Sequence, residues 1–169
     1  EGDVKAVIER VRIQYGPLSV VVHAAGVLSD TVLAKQGIKS MQQVWAPKAD
    51  GAWFLHKHIV DQDQELCAFV LYSSVASAFG NMGQANYSAA NCYLDELARW
   101  RVMQGLKGMS IQWPAVFGVG MAADMDERVK VDISMGIGPE VVKWVVCQAV
   151  RSSEQTQTGV KTPEELERT

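Results

Sequence analysis

The chain has 169 residues, of which 48% are apolar and 21% are charged, a balance typical of a globular protein of about one domain. Its 16 basic and 19 acidic residues give a net charge of −3, which argues against nucleic acid or an anionic membrane surface as a partner. No apolar run reaches the roughly 20 residues that cross a bilayer. Three widely spaced cysteines fit neither a disulfide framework nor a metal site, and we expect core thiols in a reducing, cytoplasmic compartment: Cys67, Cys92 and Cys147.

Short apolar runs alternate with helical patterns along the chain. The apolar runs predict strands at 18–22, 66–72 and 109–113. Apolar residues at helical spacing predict helices over 3–15, 47–59, 85–103 and 139–150. This alternation is typical of right-handed βαβ units, so we expect an α/β fold with a parallel, doubly wound sheet.

Local signals predict further details. The continuous apolar run at 18–22 indicates a strand covered on both faces. Residues 30–36 also have a helical pattern. Because Pro47 has no amide hydrogen to donate, we expect a helix break near Ala46. The stretch 115–138 is rich in Gly and Met and only weakly periodic, which suits a mobile loop or short helices over a site.

The composition changes after Arg151. In 152–169 the large apolar residues are Val160 and Leu166 alone, so this segment can add little core and is predicted to be a polar linker. A capping pattern at Thr162 predicts that another helix begins near the end. We therefore divide the chain into a folded part, 1–151, and a linker, 152–169.

Polar groups follow each predicted strand at the carboxyl end, where open parallel sheets bind ligands. These groups are His23 to Gly26, Ser73 with Ser74, and Pro114 to Val116. Tyr87 and Asn91 are one helical turn apart and share a face, and Ser74 leaves its strand 13 residues before Tyr87. A lysine ammonium near that phenol, such as Lys48, would lower the Tyr pKa toward neutrality and make it a usable proton donor.

The combination of these motifs resembles the short-chain dehydrogenase/reductase family, and more closely the ketoreductase domains of polyketide synthases and animal-type fatty acid synthases. The resemblance covers roughly residues 3–150. It rests on matches in order: His23-Ala24-Ala25-Gly26, Pro47-Lys48-Ala49-Asp50-Gly51, Tyr72-Ser73-Ser74, Gly83 to Asn91 with Tyr87 at its centre, and Gly118-Val119-Gly120-Met121. Many relatives place a Lys four residues after the Tyr, where this chain has Asn91. Synthase ketoreductases are similar to this chain in moving that Lys to the preceding helix, which corresponds to Lys48.

The resemblance implies a Rossmann-like fold and hydride transfer from NADPH to the β-keto group of a thioester on an acyl carrier protein. It implies four catalytic residues: Tyr87 as proton donor, Ser74 on the carbonyl oxygen, Lys48 on the ribose, and Asn91 holding a water or orienting Lys48. Cofactor contacts would come from Lys48 and Tyr87 and from backbone at Ala24, Ala25, Gly26, Pro114, Ala115 and Val116. The other synthase domains would be partners in the same polypeptide.

The same resemblance assigns substrate and stereochemical control to a further set of residues: Asp30, Phe79, Gln84 and Met121. In these ketoreductases a Leu-x-Asp motif marks one stereochemical class, and Leu28-Ser29-Asp30 keeps its final Asp. The opposite class often has Trp where this chain has Phe79. The product hydroxyl is therefore expected to have the configuration of the Asp class.

Two other functions stay open on the sequence alone. One is a non-catalytic, reductase-like scaffold within a synthase, and the other is a short-chain dehydrogenase acting on a different ketone. The chain begins without Met and contains no G-x-G-x-x-G turn, which the family places after its first strand to bind the cofactor phosphates. We therefore expect an incomplete Rossmann-like domain, cut from a longer polypeptide, that binds NADPH weakly and is inactive alone. The linker would lead toward a following domain such as an acyl carrier protein.

Overall fold

The computed structural model describes residues 1–60, 66–116 and 136–158, with side chains described as far as residue 152. Helices and strands alternate along this part of the chain. The elements are α1 (Gly2–Tyr15), β1 (Val20–His23), a 3₁₀ turn (Leu33–Lys35), α2 (Ile38–Trp45), a π-helical turn (Ala46–Asp50), α3 (Gly51–Ile59), β2 (Ala68–Ser74), α4 (Ala76–Phe79), α5 (Ala85–Met103), β3 (Met109–Trp113) and α6 (Pro139–Thr158).

The three strands form one parallel sheet in the order β1-β2-β3. Val21 lies opposite Phe69 across the first pair, and Leu71 lies opposite Ser110 across the second. Parallel neighbours need helical crossovers, which α2, α3 and α5 supply. The predicted α/β, Rossmann-like class is therefore confirmed, and the three strands bring their carboxyl ends to one edge.

The central strand β2 carries the core. Phe69, Val70 and Leu71 are at most 1% exposed, as expected for a parallel strand covered on both faces. The largest apolar cluster packs β2 against α1, α3 and α5, and its members include Ile8, Ile59, Leu66, Leu94 and Leu97. A second, smaller cluster lies beneath the carboxyl ends of the strands and includes Val44, Ala76, Tyr87 and Ala90. That cluster supports the candidate site.

Two expectations about the first half are wrong. On β1, Val21 and His23 are buried but Val20 and Val22 are 36% and 43% exposed, because only one face of this strand is covered within the described residues. Residues 30–36 form no α-helix and hold only the single 3₁₀ turn Leu33–Lys35. The error at β1 arises because valine side chains fit strands with one covered face as well as strands with two, so composition could not show how many faces of β1 are covered.

The expected helix break near Ala46 is also wrong. α2, the π-helical turn and α3 follow one another directly, and the backbone of Ala46 is helical. The amide of Gly51 donates to the carbonyl of Ala46, so the turn contains one residue more than an α-helical turn. The missing amide hydrogen of Pro47 is thus accommodated by widening the helix instead of ending it.

The C-terminal segment differs from the expected linker in where it begins. α6 extends to Thr158, eight residues beyond the predicted end at 150, so the first part of the 152–169 segment is helical. Its polar composition does not prevent this, because a helix that is already packed can extend into solvent. The helix expected at Thr162 and most of the 115–138 stretch lie outside the described residues. Within the described part of the chain, no helix is long and apolar enough to span a membrane.

The cysteines are thiols, but they are not all in the core. Cys67 is partly buried, whereas Cys92 and Cys147 are exposed on α5 and α6. The prediction of core thiols is therefore wrong for two of the three. Both lie among apolar neighbours in sequence, yet the helical period turns them to the outer face.

Candidate active site

Lys48 is held in the interior by two hydrogen bonds. Its Nζ donates to Oδ1 of Asn91 and to the carbonyl oxygen of Tyr72, each at 2.8 Å. The residue is only 2% exposed. Burial lowers the pKa of Lys48 to about 8, and the negative charge of Asp95 opposes that shift. Lys48 is therefore a buried cation at neutral pH, and its pKa lies only slightly above that pH.

Asn91 connects Lys48 to the helix that carries Tyr87. The Nδ2 group of Asn91 donates to the carbonyl oxygen of Tyr87 at 2.9 Å, which leaves Oδ1 for the Lys48 ammonium. Nζ of Lys48 lies 5.2 Å from the centroid of the Tyr87 ring. Asn91 is fully buried, so no solvent competes for its amide. The oxygen and the nitrogen of the Asn91 amide thus each have a protein partner, which fixes the orientation of the group.

The phenol of Tyr87 stays protonated at neutral pH. Burial raises its pKa, while hydrogen bonds with Asn91 and Ser74 act in the opposite direction. The expectation that Lys48 would lower this pKa toward neutrality is therefore wrong: removing a phenolate from water dominates, and the ammonium is committed to other partners. A protonated phenol at this position is suited to donating a proton.

Ser74 is the last residue of β2 and lies beside Tyr87. Its Oγ accepts a hydrogen bond from the amide of Ala76 at 3.2 Å, so the hydroxyl hydrogen can be donated elsewhere. Its neighbour Ser73 donates to the carbonyl of Asn91 at 3.3 Å.

Lys48, Tyr87 and Ser74 line a cavity of about 560 Å³ at the carboxyl ends of the strands. Its walls include most of the predicted cofactor residues: Ala24, Gly26, Lys48, Tyr87, Pro114, Ala115 and Val116. Ala25 does not line the cavity among the described residues, although its two neighbours do. Sequence reasoning missed a wall of α6, Pro139 and Val142, because nothing in an apolar helix pattern indicates which residue faces a cavity.

The residues assigned to substrate control are only partly brought together. Gln84 also lines the cavity and donates from Nε2 to Oδ2 of Asp30 at 2.8 Å, and its Oε1 accepts from Asn81 at 3.0 Å. Phe79 is at the end of α4 with 86% of its surface exposed, so it packs against nothing that would fix it. Met121 lies outside the described residues.

Asn86 is a buried polar residue that the sequence analysis missed. It is 1% exposed, and its Nδ2 donates to the carbonyls of Ser29 at 2.9 Å and Ser40 at 3.1 Å. Its Oδ1 accepts from the amide of Tyr87 at 2.8 Å. One side chain thus ties the loop after β1 and helix α2 to the first turn of α5. Its position directly before Tyr87 was the available signal.

Asp95 was also missed, although it continues the one-turn spacing of Tyr87 and Asn91 on α5. It accepts hydrogen bonds from Ser77 at 2.6 Å, Ser110 at 2.5 Å and Gln112 at 2.9 Å. Burial acts to raise the pKa of Asp95, but the hydrogen bonds from these serines and the glutamine outweigh it and hold the pKa below its ordinary value. Asp95 therefore fastens α5 to β3 and α4.

The fold and the site together define a class. A parallel Rossmann-like sheet carrying Ser, Tyr and a buried Lys at its strand ends is the arrangement of a short-chain dehydrogenase/reductase. Residues 1–118 match the family model described as the KR domain, and the chain belongs to this ketoreductase family. No group of three or more His, Cys, Asp or Glu residues that could hold a metal ion occurs in the described part of the chain.

The relatives are polyketide synthases. Spectinabilin polyketide synthase system protein NorB of Streptomyces orinoci is 48% identical over 111 residues, which make up 65% of this chain and 5% of that protein. Chalcone synthase cfoA of Aspergillus candidus is 47% identical over 111 residues, 65% of this chain and 4% of that protein. The chain thus spans a small part of the curated relatives.

Solved ketoreductases share the fold. PlmKR1, the ketoreductase from the first module of phoslactomycin biosynthesis in Streptomyces sp. HK803, is 30% identical with a TM-score of 0.76, covering 88% of this chain and 34% of that one. The first ketoreductase of the tylosin synthase is 34% identical with a TM-score of 0.73, covering 89% of this chain and 33% of that one. The chain therefore corresponds to about a third of each solved ketoreductase chain.

Proposed function

We propose that this chain carries the catalytic residues of a β-ketoacyl reductase that uses NADPH and acts on a thioester tethered to an acyl carrier protein. The observation that supports it is one cavity lined by Lys48, Tyr87 and Ser74, in which Lys48 is hydrogen-bonded to the buried Asn91. These residues come from three separate segments, the π-helical turn, β2 and α5, and specific hydrogen bonds hold them, so a non-catalytic scaffold is a poor explanation.

The residues present fit the nicotinamide and ribose half of the cofactor. At the cavity wall Ala24 has only a methyl group and Gly26 has no side chain, so a flat ring and a sugar can approach the backbone. The Lys48 ammonium and the Tyr87 phenol are the polar groups that would bind the ribose hydroxyls. The chain has no glycine-rich phosphate turn, so the remaining half of the cofactor would be held elsewhere in the full ketoreductase domain.

The cofactor, when bound, supplies the hydride; the protein supplies the proton and the orientation. Tyr87 would donate its phenolic proton to the carbonyl oxygen, so that the ketone becomes a hydroxyl. Ser74 would donate a hydrogen bond to the same oxygen and stabilise the charge that develops there. Lys48 would bind the ribose hydroxyls beside Tyr87, because its ammonium lies 5.2 Å from the centroid of the ring. Asn91 would hold Lys48 in place for this.

The partners proposed are an acyl carrier protein that presents the substrate and the other domains of a synthase. Support comes from the relatives, which are polyketide synthases much longer than this chain. An intracellular, reducing location would keep the exposed Cys92 and Cys147 as thiols. The names of these relatives support polyketide synthesis as the setting.

The test uses the full ketoreductase domain that contains this chain. Tyr87→Phe keeps the ring and its packing but removes the proton, so reduction of a β-keto thioester with NADPH should fall by roughly 10²- to 10⁴-fold. Tyr93→Phe is the matched control, because Tyr93 lies on the same helix and packs against Trp45 with ring centroids 5.3 Å apart. Full activity in Tyr87→Phe would contradict the proposal, and an inactive wild-type domain would favour the scaffold.

A further inference from the structure

Lys48 lies on the π-helical turn, not on a regular α-helix. Such turns are rare in proteins and are frequently found at functional sites. Pro47 cannot donate to the ladder, and the amide of Gly51 is shared between the carbonyls of Ala46 and Lys48. A carbonyl oxygen has two lone pairs, so besides the shared amide of Gly51 the carbonyl of Lys48 can accept a donor from another element, and such a donor would fix the turn.

His23, the last residue of β1, provides that donor. Its Nε2 lies 2.9 Å from the carbonyl oxygen of Lys48, and since a carbonyl only accepts, Nε2 must carry the hydrogen. The ring is 6% exposed, and burial lowers the pKa of His23, which keeps the ring neutral at pH 7. A Cβ on Gly51 would lie 3.1 Å from Cε1 of His23, so the glycine makes room for the ring against the turn.

The loop that follows His23 confines the side chain of the same lysine. A Cβ on Gly26 would lie 3.0 Å from Cε of Lys48, closer than ordinary van der Waals contact. Because Gly26 has no side chain, the stem of Lys48 has room to extend past it toward Asn91. One short segment thus contacts Lys48 twice, at its backbone through His23 and at its stem through Gly26.

We propose that His23 is a positioning residue: by donating Nε2–H to the carbonyl of Lys48 it fixes the π-helical turn and so directs the Lys48 ammonium to Asn91 and the Tyr87 ring. The catalytic meaning of that position rests on the proposed function, whereas the geometry of Lys48 does not. A residue that only filled space would be replaceable by an apolar side chain of similar volume.

Two substitutions separate these roles. His23→Gln can place an Nε2 donor near the Lys48 carbonyl, and His23→Leu fills similar space without a donor. The readout is the rate at which acetic anhydride modifies Lys48 in the folded chain, measured by peptide mass spectrometry against the exposed Lys39. Losing a hydrogen bond of about 1 kcal/mol should raise the relative rate for Lys48 roughly fivefold in His23→Leu. His23→Gln should match the wild type.

Unchanged modification of Lys48 in His23→Leu, or an equal rise in both variants, would overturn the proposal. Urea unfolding of each variant shows whether a rise reflects opening of the whole fold, and a rise fully explained by lower global stability also contradicts it. Should His23→Leu fail to fold, long-range ¹H–¹⁵N NMR of the wild-type ring decides: the Nε2–H tautomer is required, and the Nδ1–H tautomer is incompatible.

Activity provides a separate arm in the full ketoreductase domain. His23→Leu should lower kcat severalfold with little change in KM for the thioester, and His23→Gln should restore kcat. A kcat unchanged in His23→Leu contradicts the positioning role. If the wild-type domain reduces no ketone, the proposed function fails, but the modification and NMR measurements still test the geometry of Lys48.

Discussion

Lys48 and Asn91 are joined by a buried hydrogen bond of 2.8 Å between Nζ and Oδ1, although 43 residues separate them in sequence. The bond fixes a helix that precedes β2 against a helix that follows it. Its two members are 2% and 0% exposed, so the pair forms only when the surrounding core is closed. The geometry of the site and the stability of the fold are therefore linked through the same two side chains.

The burial of Lys48 predicts a pH-dependent stability. Its pKa falls from 10.5 to about 8 on folding, so between these values the unfolded chain binds a proton that the folded chain does not. The free energy of unfolding contributed by this residue should therefore rise as the pH rises from about 8 to 10.5. Urea unfolding of the wild type and Lys48→Met should show a difference that grows in favour of the wild type over that range. Lys39→Met, at an exposed position, should show no such trend.

Asn86 predicts a loss of stability at a residue that performs no chemistry. Asn86→Ala removes three hydrogen bonds and leaves the carbonyls of Ser29 and Ser40 without this donor in the interior. We expect a loss of about 2–4 kcal/mol in the free energy of unfolding. Asn81→Ala, at an exposed position, is the control and should lose less than about 1 kcal/mol. Equal effects of the two substitutions would mean that the Asn86 bonds contribute little.

The close approach of Gly108 to α5 predicts that a larger residue at this position destabilises the fold. A Cβ there would lie 2.7 Å from the carbonyl oxygen of Ala98 and 2.9 Å from Cβ of Arg101, and neither atom can move without shifting the helix. Gly108→Ala should therefore destabilise the chain by about 1–3 kcal/mol in thermal or urea unfolding. Gly2→Ala is the matched control, because nothing lies within 4 Å of its Cβ and it is in the first turn of α1. A stable Gly108→Ala protein would refute the close approach.

Asp95 predicts the response of the fold to acid. Its folded pKa is held below the ordinary value of 3.8, so its stabilising contribution is complete above that value and is lost as the pH falls through the folded pKa. Asp95→Asn should therefore show a smaller loss of stability than the wild type between about pH 5 and pH 2.5. Glu96→Gln, on the exposed face of the same helix, should retain the full acid dependence. Identical acid titrations of wild type and Asp95→Asn would contradict the assignment.

Asp30 predicts the configuration of the product. The hydrogen bond from Gln84 links the loop after β1 to the start of α5 on the side where the substrate would enter. The full domain should give the hydroxyl configuration of the Asp class on chiral analysis of the reduced thioester, and Asp30→Ala should lower its stereochemical purity. The opposite enantiomer from the wild type would contradict this prediction.

The class of fold and part of the cavity wall could be predicted from sequence, for identifiable reasons. Buried parallel strands have continuous apolar runs, as β2 does, and the family motifs place Lys48, Ser74, Tyr87 and Asn91 in a recognisable order. The prediction for β1 was wrong because its apolar run is not covered on both faces. Val20 and Val22 look like core residues, but burial depends on what covers a face, and a single chain segment does not encode its neighbours.

Electrostatic and backbone details were not predictable in the same way. The pKa of Tyr87 depends on whether burial outweighs its hydrogen bonds, which only the packed structure decides. The missing amide hydrogen of Pro47 predicted a helix break, yet the helix continues through a wider, π-helical turn. Asp95 belongs to no motif, since its partners come from two segments, α4 and β3, that are separate in sequence.

The π-helical turn also limits how the chain can change in length. A helix absorbs one deleted residue most easily where it already holds one too many, so a single-residue deletion within Ala46–Asp50 could restore a regular α-helix. The helices on either side would keep their relative phase, because the π-helical turn holds one residue more than an α-helical turn, and only the side chains within the turn would change direction. Lys48 would no longer point toward Asn91, even though the helix would be more regular than before. The π-helical turn is therefore the segment where the helix tolerates a deletion best and where a deletion would displace Lys48 from the site.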